Sequence, residues 1–121
     1  MPFAPSILAE WVDLYVAAIV KTPSPHMMVG FESTNLARSH LRAALHPYDL
    51  IMRPQMATCD DAPDYHDVLT KFAAFTGMDE LLNTSFNIHG KPIVMSPLDV
   101  LTAFSESGLR ALAIEDFLVQ K

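Results

Sequence analysis

The stretch LLNTSFNIHGKP, residues 81–92, decides how this chain is read, because polar groups crowd in where an apolar strand stops. Leu81 and Leu82 have the character of strand core. Asn83, Thr84, Ser85 and Asn87 follow, each with a donor or an acceptor, and Gly90 and Pro92 then turn the backbone. A strand that ends in a polar turn is where α/β folds place ligand contacts. The same residue types also satisfy their own backbone at turns, and at this point both roles are open.

Downstream, residues 92–95 are expected to begin another strand. Ser96, Pro97 and Asp99 then make a helix start: a hydroxyl N-cap, a proline at the first position and a carboxylate in the first turn. Val100, Leu101 and Phe104 give that helix its core face and Gly108 closes it. Residues 109–119 read as one or two strands with a bend at Glu115 and Asp116.

Upstream, Asp61 or Asp64 is expected to cap a helix with Pro63 in its first turn. Val68, Leu69, Phe72, Ala73 and Phe75 or Thr76 follow at helical spacing before Gly77 ends it. Residues 50–57 read as extended, with Pro54 moving them towards a sheet edge. Residues 36–45 have helical spacing with Arg38 and Arg42 on a solvated face, and residues 27–31 read as a short strand. The N-terminal region predicts a helix over residues 7–20, capped by Ser6, in which Ile7, Leu8, Trp11, Val12, Leu14, Tyr15, Ile19 and Val20 cover most of the circumference. So wide an apolar face predicts burial in the core or pairing with a partner, and a homodimer through this Ile7 to Val20 helix is one expected outcome. The order of elements is that of an α+β fold, a mixed α/β single domain.

Composition narrows the function classes. The chain has 121 residues, half of them apolar and 18% charged, which excludes a disordered segment. With a net charge of −6 and eight Lys and Arg residues that form no stripe, nucleic acid is not an expected partner. A small anion needs only two or three well-placed cations and backbone N–H groups, so it stays open. One cysteine, Cys59, allows no intrachain disulfide and no thiolate zinc cluster, which fits a reducing, cytoplasmic setting. The longest apolar run, residues 14–20, is too short to span a bilayer, so no membrane is expected either.

Candidate chemistry is sparse. Cys59, Asp60, Asp61, Asp64 and His66 lie close in sequence but match no metal-ligand spacing, and no metal is expected in this chain. No nucleophile has an identifiable base, and no residue here is read as catalytic. The residues left with chemistry are Arg53 and Gln55, together with the turn from Asn83 to Asn87. A guanidinium can grip a phosphate or carboxylate through two parallel hydrogen bonds, with Asn or Ser beside it holding an amide or hydroxyl.

Several segments carry a resemblance. NTSFN at 83–87, HGKPIV at 89–94, SPLDVL at 96–101 and AIEDFLVQK at 113–121, with PFAPSIL, SPHM, RPQ and PDYH upstream in the same order, resemble the C-terminal domain of O-carbamoyltransferases acting on nodulation factors and antibiotics. The resemblance covers nearly the whole chain. It implies residues 1–121 of a YrdC-like domain that combines ATP with carbamoyl phosphate, or the carbamate derived from it, to make carbamoyl adenylate. A separate N-terminal transferase domain would pass the carbamoyl group to a hydroxyl acceptor.

By position, Arg53 would contact phosphate or the carbamoyl moiety, with Gln55 beside it. Ser85 and Asn87 would line the nucleotide and carbamoyl site, and Asn83 and Thr84 would shape that turn. ATP is the implied co-substrate. Three departures stand out. The family's basic segment before PFAPS and its transferase domain do not appear in this chain, Leu50 and Ile51 follow Asp49 where the family has Asp-Gly-Thr, and Lys91 stands where Glu is common. The chain alone is therefore expected not to transfer a carbamoyl group. A non-catalytic accessory module of the same fold is the alternative.

Overall fold

The computed structural model describes residues 3–17 and 23–121. The fold is α+β, in two compact units, Met1–Thr84 and Ser85–Lys121. Among the described residues, no helix is long and apolar enough to cross a membrane.

The first unit is built on a three-stranded sheet whose central strand is β1, Ala4–Leu8. On one side it pairs in parallel with β4, Gln55–Ala57, with Ser6 opposite Gln55. On the other it pairs antiparallel with β5, Glu80–Asn83, with Ala4 opposite Asn83. Alternate residues of a strand face opposite ways, and β1 uses both faces. Ile7 joins a core with Tyr15, Phe31, Ala37, Leu41, Leu45 and Met52, while Leu8 joins Ala57 and Leu69 in a second one.

β1 replaces the first part of the helix expected over residues 7–20. A short apolar run buried on both faces has the same composition whether it is a strand or a buried helix, so periodicity cannot separate them. Ser6 caps nothing here, because its hydroxyl bonds across the sheet to Gln55. Helix forms only after Leu8, as a 3-10 turn over Ala9–Trp11 and then α1, Val12–Tyr15, which ends where Val16 becomes extended. Ile19 and Val20 lie outside the described residues. The continuous apolar helix face on which self-association was expected therefore does not form. Ile7, Leu8 and Tyr15 are buried inside the unit, while Trp11 and Leu14 are each 47% exposed.

The strand expected over residues 27–31 shrinks to β2, Phe31–Glu32, because Met27 has φ 58°, a left-handed conformation that no strand accommodates. β2 pairs antiparallel with β3, Ile51–Met52. A Cβ on Gly30 would stand 3.1 Å from Ile51 Cγ2, so glycine is what lets the two segments approach. The helix of residues 36–45 appears in two pieces, α2 at Asn35–His40 and a 3-10 turn at Arg42–Ala44, with Arg38 and Arg42 exposed as expected. Thr34 caps α2 by accepting from Ala37 N at 3.2 Å. Helix α3, Pro63–Thr76, has proline in its first turn and Gly77 in the left-handed C-cap position. Neither Asp61 nor Asp64 caps it. The N-cap is Ala62, and the Asp61 carboxylate accepts from Thr58 Oγ1 at 2.7 Å instead.

Leu50 links the sequence to a strained backbone. It has φ 59°, held in a loop where Leu50 N donates to His46 O at 3.0 Å and Asp49 Oδ1 accepts from Ile51 N at 3.0 Å and from His46 Nδ1 at 2.8 Å. This is the position at which the resemblance has glycine, the residue that enters this conformation without steric cost. Leu50 also packs against the Ile7 core. Leu50→Ala and Leu50→Gly lose the same packing, but only glycine relieves the backbone. Leu50→Gly is expected to unfold at higher urea, more stable than Leu50→Ala by about 0.5–1 kcal/mol. The opposite order would mean that the loop is unstrained.

The second unit contains α4, Pro97–Glu106, and a hairpin of β6, Ala111–Ile114, with β7, Phe117–Gln120. Ser96 and Asp99 form the expected start as a reciprocal capping box. Residues 92–95 are not a strand. Pro92 has no N–H to give a ladder, and Met95 N and Ser96 N both donate to Asp99 Oδ2, at 3.3 and 3.0 Å. These bonds, the Ser96 hydroxyl first, hold the Asp99 carboxyl below the usual carboxylate range. At the other end of α4, the Lys121 ammonium donates to Ser105 O and Ser107 O at 3.2 and 2.7 Å and lies 4.6 Å from the centre of the Phe104 ring. It thus supplies donors to carbonyls that a helix end leaves unpaired.

Candidate functional site

Four sequence segments that are far apart meet on the first unit's sheet. β1 contributes Ser6, which is fully buried and donates to Gln55 Oε1 at 2.9 Å. β5 contributes Asn83 at its end, whose Nδ2 donates to the same Gln55 oxygen at 2.7 Å and contacts Met27 Sδ at 3.9 Å. Buried Ser24 donates to Pro54 O at 2.9 Å, and Met56 N donates back to Ser24 O at 2.8 Å, which ties the 24–27 turn to β4. Gln55 is half-buried at the centre of this group.

Arg53 lies between buried Met52 and buried Pro54, in the break between β3 and β4. Its neighbours anchor the backbone while its side chain is exposed, with no hydrogen bond or ion pair among the described residues. An unpaired guanidinium, two residues along the chain from the fixed Gln55 carboxamide, is a group that can bind anionic oxygens. Thr84, the last residue of this unit, is exposed and likewise unbonded.

Ser85 and Asn87 open the second unit and bond within their own turn. Ser85 Oγ donates to Asn87 Oδ1 at 2.6 Å, and Asn87 Nδ2 donates to Lys91 O at 2.9 Å and Ile88 O at 3.3 Å. These bonds are the self-satisfying kind that polar residues make in turns. Asn87 also borders a cavity of about 130 Å³ with Lys91, Asp99, Thr102 and Glu106, where Lys91 and Glu106 form an ion pair.

A second polar cluster, absent from the sequence reading, lies in the first unit. Tyr15 is buried, and its hydroxyl is 2.6 Å from Asp79 Oδ1 and 2.8 Å from Glu80 Oε2. Glu80 is only 7% exposed, and His40 Nδ1 is 3.5 Å from its other oxygen. Burial, with Asp79 alongside, holds the Glu80 carboxyl above the ordinary carboxylate range, against the opposing pull of Tyr15 and His40. Burial and the two carboxyls push the Tyr15 hydroxyl well above its usual value. The signal in the sequence is Asp79–Glu80 directly before Leu81–Leu82: an acid that starts a buried strand needs a partner.

Near Cys59, Asp61 accepts from Thr58 Oγ1, and His66 bonds Glu10 at 3.0 Å. Among the described residues, no three His, Cys, Asp or Glu side chains are grouped to hold a metal ion.

Comparison with known proteins supplies the family. The whole chain, residues 1–121, matches the family model described as carbamoyltransferase C-terminus. Protein MJ1058 of Methanocaldococcus jannaschii is 36% identical over 120 residues, which are 99% of this chain and 19% of that protein. Protein sll1178 of Synechocystis is 34% identical over 140 residues, 99% of this chain and 22% of that one. Nodulation protein NolO of Bradyrhizobium diazoefficiens is 33% identical over 120 residues, again 99% and 22%. The chain spans about a fifth of the length of these relatives. Because the family model takes in every residue, the strand network around Gln55 and the Ser85 turn alike, the chain belongs to the carbamoyltransferase C-terminus family.

Proposed function

We propose that this chain contributes to a site for ATP and carbamoyl phosphate in an O-carbamoyltransferase, where carbamoyl adenylate forms before the carbamoyl group passes to a hydroxyl acceptor. The observation that carries this reading is Arg53, exposed and without a partner among the described residues, two residues from Gln55 on an anchored backbone, in a chain of net charge −6. So negative a molecule repels polyanions at long range, and binding one depends on local cations. Arg53 would grip phosphate oxygens bidentately and offset charge that builds on them during phosphoryl chemistry, with Gln55 donating alongside. Activation of this kind needs two anions positioned and their charge stabilised, which a guanidinium and a fixed amide can assist without any covalent role. Exposed Cys59, with no disulfide, fits a reducing cytoplasmic setting for an ATP-using protein.

Calorimetry of the full chain with ATP, and separately with carbamoyl phosphate, tests the reading. Charge-assisted contacts contribute about 1.5–3 kcal/mol, so Arg53→Ala is expected to weaken binding roughly tenfold or more. Equal affinities for wild type and variant would move the site away from Arg53. An accessory, non-catalytic module is the second reading, favoured by the way Ser85 and Asn87 bond their own turn. It gains if neither ligand gives binding heat with the wild-type chain.

A further inference from the structure

The Gln55 carboxamide is held by groups that leave it one free function. An amide oxygen has two lone pairs, and here Ser6 Oγ and Asn83 Nδ2 take both. The Gln55 amino group has no hydrogen-bond partner among the described residues. No buried side-chain nitrogen or oxygen among the described residues lacks one, so this amino group reaches solvent. Gln55 is therefore presented as a donor, two residues from the Arg53 guanidinium, which can only donate.

Met27 favours this orientation. If the Asn83 amide were reversed, its oxygen would face the Met27 thioether, and its acceptor would no longer match a Gln55 oxygen. A thioether sulfur accepts weakly and donates nothing, so it favours the Asn83 amino group on its side. That sulfur is placed by a backbone at φ 58°, a conformation a methionine adopts only when its surroundings impose it. The bonds between Ser24 and the 54–56 segment are the visible part of that constraint.

We infer that Ser6, Asn83 and Met27 are positioning residues that lock Gln55 as a hydrogen-bond donor, so that Gln55 and Arg53 together select a ligand by its anionic or carbonyl oxygens. This rests on the reading of Arg53 as a binding residue. It adds a selectivity: a ligand that offers an N–H or O–H at this place meets another donor and is rejected.

The orientation can be tested without ligand, by nitrogen-15 NMR of the full chain. An Asn83 side-chain proton is expected to exchange slowly and to show through-hydrogen-bond coupling to the Gln55 carbonyl carbon, while both Gln55 side-chain protons exchange as freely as exposed amides. The reverse pattern overturns the inference.

Binding is then measured with inorganic phosphate and with carbamoyl phosphate. Asn83→Asp offers only acceptors, so Gln55 must turn its amino group inward and its oxygen outward, and affinity is expected to fall about tenfold. Asn83→Ala removes the lock without adding charge and should lower affinity about threefold. In a Gln55→Ala background, Asn83→Asp should cause no further loss, because its effect passes through Gln55. A full loss in that background would mean direct charge repulsion and overturn the positioning role. Loss of affinity in Arg53→Ala with none in the Asn83 variants overturns this inference alone. Unchanged affinity in Arg53→Ala, or no binding by wild type, overturns the reading of the site on which it rests.

Discussion

Tyr15→Ala is expected to destabilise the first unit by about 3–5 kcal/mol, the range for removing a buried aromatic ring. Tyr15→Phe should cost about 1–3 kcal/mol, because it keeps the packing and removes the one hydroxyl that lies between two carboxyls. The hydroxyl has a single proton, yet it is within bonding distance of both Asp79 and Glu80. If it donates to Asp79, the contact with Glu80 is a hydrogen bond only when Glu80 carries a proton of its own.

That requirement fixes the sign of the pH dependence. The Glu80 carboxyl is held above its ordinary value of 4.5 in the folded state, so the folded chain binds this proton more tightly than the unfolded chain does. The resulting stabilisation is complete below the unfolded value and is lost as pH rises through the folded one. Glu80→Gln keeps an uncharged donor and acceptor at the position and does not titrate. It should therefore raise the melting temperature relative to wild type at pH 7.5 and leave it nearly unchanged at pH 4. Melting curves for the two proteins across that range decide the matter. A difference that grows towards acid would mean that Glu80 is ionised and favourably paired in the fold.

Ile7→Ala is the second substitution with a large expected effect, about 2–5 kcal/mol in chemical denaturation. Ile7 is fully buried in the central strand, with sheet partners on both sides. Leu14→Ala removes the same kind of side chain from a position 47% exposed and should cost about 1 kcal/mol or less. A helix over residues 7–20 buried against a partner would place both residues on its apolar face. Similar losses for the two substitutions would therefore contradict the strand.

These contrasts mark which parts of the fold were legible in the sequence. α3, α4 and the β6–β7 hairpin are set by local chemistry: Pro63 and Gly77 bracket one helix, Ser96, Pro97 and Asp99 start another, and Glu115 and Asp116 turn the hairpin. β1 was not legible, because Ile7 and Leu8 are placed by strands some fifty or more residues away, and local spacing holds no trace of those neighbours. Residues 92–95 depart from a strand for a different reason. Their β-branched and apolar side chains suit a strand, but Pro92 has no N–H, Val94 N donates to Phe86 O at 3.2 Å and Met95 N donates to Asp99 Oδ2 at 3.3 Å, so no run of donors is left for a ladder.

The candidate site divides in the same way. Arg53 and Gln55 stand out as residue types, and so does the polar run from Asn83 to Asn87. That Asn83 serves Gln55, while Ser85 and Asn87 serve their own turn, depends on register and turn geometry. Ser6 has the appearance of a helix cap, as any serine before an apolar run does. In sequence Tyr15 is one more apolar residue, and its hydroxyl acquires a role only when residues 79 and 80 arrive beside it.

The position of β1 also governs when the first unit can fold. Its two neighbours are made of residues 55–57 and 80–83, far along the chain from it, so neither edge can be closed by local contacts. Closing such long loops carries an entropic cost before any pairing compensates for it, which slows folding. During synthesis, Ile7 and Leu8 emerge well before Asn83 and lack that strand neighbour until it follows. Through that interval they form an uncovered sticky segment, the stage at which a chaperone would have most to protect.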